Sequence, residues 1–283
     1  MFAWLKRERK STDEESPLPP VVIFHHIAKT GGTSLRGVVQ ANYRGKTLLE
    51  LYGPGRGSVA WYDAYYHSLS YRRKAEVKCI AAHSAHFIIP VIDRPFQVFT
   101  LLRNPVERVI SLYYFTQILA QKGKGRGAEI GLALMQLGWD LEDVFVNIGL
   151  KQGGTEEQRR LFAPFFNGQA RAILKPYKDV STALIVQGVP QSVTSFQDRL
   201  HEVVERNYIV GVTEEYEKSV RYFAQVFGWR RVFFEQRNKT KKRPRQHDLP
   251  AHLPDLIYSF NQLDVLLHQR AGETLLGFSA GFG

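Results

Sequence analysis

Two kinds of apolar pattern alternate along residues 21–270. Short, almost continuous apolar runs, VVIFHHI (21–27), VKCIAA (77–82), FQVFTLL (96–102) and YIVGV (208–212), have the length and β-branched or aromatic content of strands buried on both faces. Between them apolar residues recur at helical spacing. One such segment runs from Thr33 to about Tyr43, with Thr33 or Ser34 near its N-cap; a second, VERVISLYYFTQILA, is entered through Arg103-Asn104-Pro105. Further helices are expected at 156–173, 193–206, 214–227 and 253–270. Strand alternating with helix predicts an α/β fold of a single domain, a mostly parallel sheet flanked by helices on both faces. No repeat of fixed period is visible.

Composition adds bounds to this picture. Residues 1–20 mix charges and end in Pro-Leu-Pro-Pro, so they read as a flexible N-terminal leader, with the folded domain spanning 21–283. Of the 283 residues 44% are hydrophobic, enough to fill a core. A formal net charge of +11 marks a basic protein with anionic partners: nucleotides, acidic polysaccharide, nucleic acid or a membrane surface. Charge alone does not choose among them. The single cysteine, Cys79, lies in an apolar run and reads as core filler, which rules out an internal disulfide framework and favours a reducing compartment. Nowhere is there an apolar run of roughly 18 residues, so no membrane span is expected and the chain is expected to be cytoplasmic.

The candidate chemistry begins where the first strand ends. FHHIAKTGGTSLR (24–36) sets a lysine and two glycines between a strand and a helix start, a P-loop-like arrangement that gathers backbone N–H groups and the positive end of a helix around one anion. Yet Lys29 precedes Gly31 and Gly32, whereas the ATP-binding pattern G-x-x-x-x-G-K-[ST] puts lysine after the glycines. That order argues against an ordinary P-loop kinase.

HIAKTGGTS (26–34) resembles the HIPKTGGTS signature of sulfotransferases that use 3′-phosphoadenosine 5′-phosphosulfate, especially the carbohydrate-sulfating branch related to heparan sulfate 2-O-sulfotransferases and their bacterial relatives. TLLRNPVERVISLYYF (100–115) is similar to the second signature of that family. Weaker similarity continues in FFNGQARAIL (165–174), YIVGVTEEYEKSV (208–220), RNKTKKRP (237–244) and FNQLDVLLHQRA (260–271), so the resemblance covers most of residues 21–271. One departure is Ala28 in place of the usual proline, which relaxes the loop's φ but leaves Lys29, the glycines and the hydroxyls in place.

The resemblance implies that the loop of Lys29, Thr30, Gly31, Gly32, Thr33 and Ser34 holds the 5′-phosphosulfate, and that Arg103 and Ser111 grip the 3′-phosphate. Chemistry agrees. Sulfuryl transfer to a hydroxyl needs in-line geometry, charge on the leaving phosphate met by a cation such as Lys29, and removal of the acceptor proton, with no metal called for. Arg103 offers a planar fork suited to a phosphate dianion. AAHSAHFIIP (81–90) supplies two candidate bases at a strand end. His86 best fits the family's placement of the base and His83 comes second; the pair makes a poor metal site. His25 and His26 fall on opposite faces of the first strand, with His26 at most a positioning residue.

The expected acceptor is a hydroxyl, on a saccharide or polysaccharide. Basic stretches at 122–127 and 237–245, the latter with six Lys or Arg in nine residues, read as solvated loops; the resemblance implies that the second closes over the nucleotide, the alternative being that it steers an anionic polymer. GPGRGS (53–58) is a candidate for the acceptor rim. No nucleic-acid partner is expected, since no reading module or regular aromatic spacing accompanies the charge. The alternatives are a P-loop-type nucleotide kinase and a non-catalytic polyanion- or nucleic-acid-binding protein.

Overall fold

A computed structural model of the chain describes residues 17–53, 58–123, 125–176, 190–234 and 243–280. Five strands, β1 (Val21–His25), β2 (Leu48–Glu50), β3 (Cys79–Ala82), β4 (Phe96–Leu102) and β5 (Tyr208–Val212), form one sheet in the order β2-β3-β1-β4-β5. All four neighbouring pairs run parallel. Parallel pairing requires a crossover between successive strands, and helices supply each one. The edge strand β2 is only three residues long, too short to stand out in the apolar pattern.

The crossovers cover both faces. On one, Phe24, Cys79, Phe99 and Leu101 pack against Leu35, Val38 and Val39 of α1 (Gly32–Asn42) and Val220 and Phe223 of α11 (Tyr216–Phe227). On the other, Val21, Ile23, Ile80 and Val98 meet Tyr62 and Tyr66 of α2 (Val59–Ser68), Ile173 of α9 (Gly168–Leu174), Leu200 of α10 (Pro190–Asn207) and Leu267 of α13 (Gln262–Ala280). Adjacent residues such as Val98 and Phe99 feed opposite faces, which is why β4 reads as almost continuous apolar sequence. A third apolar cluster is built on α5 (Pro105–Lys122), joined by α6 (Arg126–Leu137), α7 (Leu141–Val144), α8 (Glu156–Phe162) and α12 (His252–Ser259). Two short helices, α3 (Tyr71–Glu76) and α4 (Ala85–Ile88), flank β3. Among the described residues no helix is long and apolar enough to cross a membrane.

Two expected helices are each broken in two, and the breaks cap one another. The 156–173 segment divides at a 3-10 turn, Ala163–Phe165, followed by Asn167 in the left-handed region at φ 46°. The 253–270 segment divides at Asn261. The main-chain N–H groups of Leu263 and Asp264, at the start of α13, donate to Asn167 Oδ1 at 2.9 and 3.3 Å. Reciprocally, the N–H groups of Gln169 and Ala170, at the start of α9, donate to the Asp264 carboxylate at 3.1 and 2.8 Å. Each helix start would otherwise bury unsatisfied donors, so the two polar side chains make the paired break stable. Residues 1–16, 54–57, 124 and 237–242 of the leader, the GPGRGS rim, the 122–127 loop and the 237–245 run lie outside the described residues.

Candidate functional site

In this strand order the chain leaves β1 toward β2 and leaves β4 toward β5, in opposite directions. The crevice beyond the C-terminal ends of β1 and β4 is therefore the topological switch point, where open α/β sheets bind ligands. The lysine-glycine loop follows β1 and Arg103 follows β4, so the fold brings the two sequence motifs to this one place.

The loop departs from the sheet after His25 and turns through two left-handed residues, Lys29 at φ 71° and Gly31 at φ 78°. A lysine in that region is uncommon and is held there by its surroundings. The Thr30 hydroxyl donates to the Ile27 carbonyl at 2.9 Å, and the Thr213 hydroxyl, beyond β5, donates to the Thr30 carbonyl at 2.7 Å. Thr30 is thereby buried and its hydroxyl engaged inside the loop, so its part is to staple the turn rather than to offer a hydroxyl to a phosphate. Gly31 caps α1 without a side chain, Thr33 is exposed and Ser34 is buried in the first turn. That turn carries the helix's positive end and its N–H groups.

Arg103 ties β4 to this loop. Its Nη1 donates to the Lys29 carbonyl at 3.3 Å and its Nη2 to Glu107 Oε2 at 3.1 Å. The ammonium of Lys29 lies over the ring of Phe115, 3.7 Å from its centroid, a cation–π contact. Glu107, Ser111 and Phe115 follow one another at four-residue intervals, so they lie along one stripe of α5. Ser111 is buried midway on that stripe. Burial, reinforced by the charges of Arg103 and Arg243, lowers the Lys29 pKa to about 8. Arg103 is likewise pushed below its ordinary value, by burial first and by Arg243 next.

Glu107 is the local counter-charge. Besides Arg103 it takes Arg243 Nη2 at 2.7 Å, Arg245 Nη1 at 3.7 Å and the Gln246 N–H at 3.0 Å. The end of the basic run at 237–245 is thus drawn onto the Arg103 site. Three guanidinium groups and Lys29 outnumber Glu107 and the nearby Glu214, which accepts the Asn104 N–H at 3.1 Å, so the surplus is positive.

The two candidate bases differ in setting. His83 is exposed; its Nδ1 donates to the His26 carbonyl at 2.9 Å, which fixes the tautomer and leaves the Nε2 lone pair as the basic site. Desolvation and Arg36 hold its pKa below the ordinary imidazole value, against the His26 carbonyl, which raises it. His86 instead has both ring nitrogens sealed from solvent beside Phe87 and His25, with ring centroids 4.2 and 6.2 Å away. His25 and His26 face opposite sides of β1 as the pleat predicts: His25 reaches the Tyr208 hydroxyl at 3.2 Å, while His26 stacks on Phe24 and contacts the Tyr52 hydroxyl at 3.3 Å. Desolvation depresses both, His25 to about 3 and His26 to about 2, so both are neutral at physiological pH.

Sequence reasoning gave no site role to Glu107, Phe115, Gln169, Thr213 or Arg243, although Glu107, Gln169 and Thr213 stand inside the segments that carry the resemblance. For Glu107 a signal existed: it stands four residues after Arg103 at a predicted helix start, the spacing of an intrahelical ion pair. Among the described residues no group of three or more His, Cys, Asp or Glu side chains is gathered as a metal site. An open groove lined by Lys46, Ser70, Arg72, Arg73 and Glu76 lies at the opposite edge of the sheet, before β2 and β3, apart from this site. No family model and no curated protein matches the chain.

Proposed function

We propose that the chain is a sulfotransferase that moves a sulfuryl group from 3′-phosphoadenosine 5′-phosphosulfate to a hydroxyl of a saccharide or polysaccharide. The observation that carries this reading is the junction of Arg103 with the Lys29 carbonyl at the switch point, with His83, an exposed residue, hydrogen-bonded to the same loop through His26. The residues fit a donor with two separate anionic ends. A glycine-bearing loop and helix start lie at one end and a guanidinium cluster at the other, joined by the α5 stripe from Phe115 to Glu107.

When bound, the donor supplies an activated sulfuryl group on a phosphate leaving group. Lys29 provides positive charge at the loop, where the negative charge of a leaving group grows. Arg103 presents its fork to the 3′-phosphate, with Ser111 on the neighbouring turn of α5. His83 takes the acceptor proton at Nε2, since its Nδ1–H is already held by the His26 carbonyl. We assign the base to His83 ahead of His86 because a base must reach the acceptor, and the His86 nitrogens are enclosed by protein. The proposed compartment is the cytoplasm, a reading supported by Cys79, a buried free thiol whose pKa burial pushes up.

Calorimetry with 3′-phosphoadenosine 5′-phosphate tests the reading. Binding is expected, and it should survive a chelator, with ATP and Mg²⁺ much weaker. A preference for ATP would point to a kinase, and salt-steep binding to heparin or DNA without nucleotide selectivity to a polyanion-binding protein. Transfer of labelled sulfate from donor to a panel of saccharides then identifies the acceptor.

A further inference from the structure

We infer that Gln169 is a positioning residue for Arg103 and through it sets selectivity for a nucleotide bearing a 3′-phosphate; the inference rests on the donor reading above. The ladder between β4 and β5 ends at the pair Leu102–Val212, and Thr213 N–H closes it on the Leu102 carbonyl at 2.8 Å. Arg103 is the first residue past that ladder. Its backbone is paired by a side chain instead: Arg103 N–H donates to Gln169 Oε1 at 2.9 Å and Gln169 Nε2 donates to the Arg103 carbonyl at 2.9 Å. The planar amide thus makes the two-bond exchange of a facing antiparallel pair, which the parallel ladder itself does not provide.

Gln169 is fully buried, and a buried amide is stabilising only when both its ends are satisfied. Arg103 satisfies both. The anchor behind Gln169 is equally fixed, because its own N–H sits on the Asp264 carboxylate and Asp264 sits at the start of α13, capped by Asn167. A rigid line therefore runs from α13 through α9 to the Cα of Arg103. From that Cα the guanidinium reaches forward to the Lys29 carbonyl and Glu107. Loss of the clamp frees the backbone from which the fork is aimed, and a bidentate contact tolerates little misdirection.

The test compares 3′-phosphoadenosine 5′-phosphate with adenosine 5′-phosphosulfate, which lacks the 3′-phosphate, by calorimetry on folded protein. Gln169→Met keeps the side chain's size and removes both hydrogen bonds; it should weaken the first nucleotide about 10-fold or more and the second less than about twofold. Gln169→Glu keeps an acceptor for the Arg103 N–H and should fall between wild type and Gln169→Met. In an Arg103→Ala background the Met substitution should change neither affinity further, since its effect passes through Arg103. Equal losses on both nucleotides, or losses that add to those of Arg103→Ala, would overturn the inference in favour of a purely structural role. If Gln169→Met does not fold, the Glu variant decides by the same ratio: unchanged selectivity overturns the inference. A wild-type chain that does not distinguish the two nucleotides overturns the donor reading itself, so the two failures are separable.

Discussion

The imidazole of His26 occupies the space that a side chain at position 32 would need: a Cβ on Gly32 would lie 2.1 Å from His26 Cδ2 and 2.4 Å from Nε2. The ring cannot step aside, because it is stacked on Phe24 and packed 4.0 Å, centroid to centroid, from His83. Gly32 is thus required for the seating of α1 on β1 as well as for any close approach of a ligand to the loop. Gly32→Ala should destabilise the fold by about 1–3 kcal/mol, the scale of an overpacked core. Adding His26→Ala should restore part of that loss, so urea denaturation of the double variant is expected to depart from additivity. Strict additivity would show that the two positions do not compete for space.

Glu107 binds Arg103, Arg243 and Arg245 together, so its ionisation is coupled to the fold. Burial raises its pKa, but the Arg243 and Gln246 hydrogen bonds and the arginine charges outweigh that and hold it below the ordinary carboxylate value. A depressed folded-state value means the contribution is complete above the unfolded value of about 4.3 and is lost as pH falls through the folded one. Glu107→Gln should therefore cost about 1.5–3 kcal/mol at pH 7. It should also unfold with a shallower loss of stability between about pH 5 and pH 3 than wild type. Denaturant midpoints measured across that range check both expectations, and identical pH slopes would contradict the coupling.

The sheet was legible because both of its faces are covered, which makes β1, β4 and β5 almost continuous apolar runs. The paired motifs around Lys29 and Arg103 were legible because each sits at a strand end, and parallel order then leaves no freedom about which edge they share. The helix breaks at Asn167 and Asn261 were not, since the capping partners come from segments nearly a hundred residues apart and local periodicity carries no trace of them. The same holds for Gln169. A glutamine on a helix face gives no sign in sequence that it pairs with the backbone of Arg103. The choice between His83 and His86 also needed the fold: three residues apart in sequence, one is exposed with its tautomer fixed and the other has its nitrogens enclosed.

Lys29 should make donor affinity depend on pH. Its pKa falls from 10.5 to about 8, by burial first and then by Arg103 and Arg243, so the free protein loses this charge above about pH 8. An anion on the loop favours the charged form, hence affinity should be level below that value and fall above it, by at most about tenfold per pH unit. Lys29→Arg retains its charge throughout, since a guanidinium stays protonated. Calorimetry with 3′-phosphoadenosine 5′-phosphate from pH 7 to pH 9.5 should show a falling affinity for wild type and a level one for the variant. A fall of equal steepness in both would assign the titration to another group.

His83 and His86 can be separated by kinetics once an acceptor is found. A general base acts only as the acceptor loses its proton, so its removal lowers turnover and leaves donor binding nearly intact. His83→Ala should therefore reduce single-turnover transfer on the order of 10²–10⁴-fold at saturating donor, the usual scale for a lost base. The dissociation constant of the donor should change little, because the loop that His83 touches through the His26 carbonyl keeps its own staples at Thr30 and Thr213. His86→Ala should lower stability more than turnover, as expected for a half-buried ring packed on Phe87. The pH profile gives a second readout. His83 must be neutral to act, and its pKa is held below the ordinary value of 6.5, so wild-type turnover should be level at pH 7 and decline on an acidic limb below that value. Loss of that limb in His83→Ala, with its retention in His86→Ala, would assign the base; the opposite pattern would move it three residues downstream.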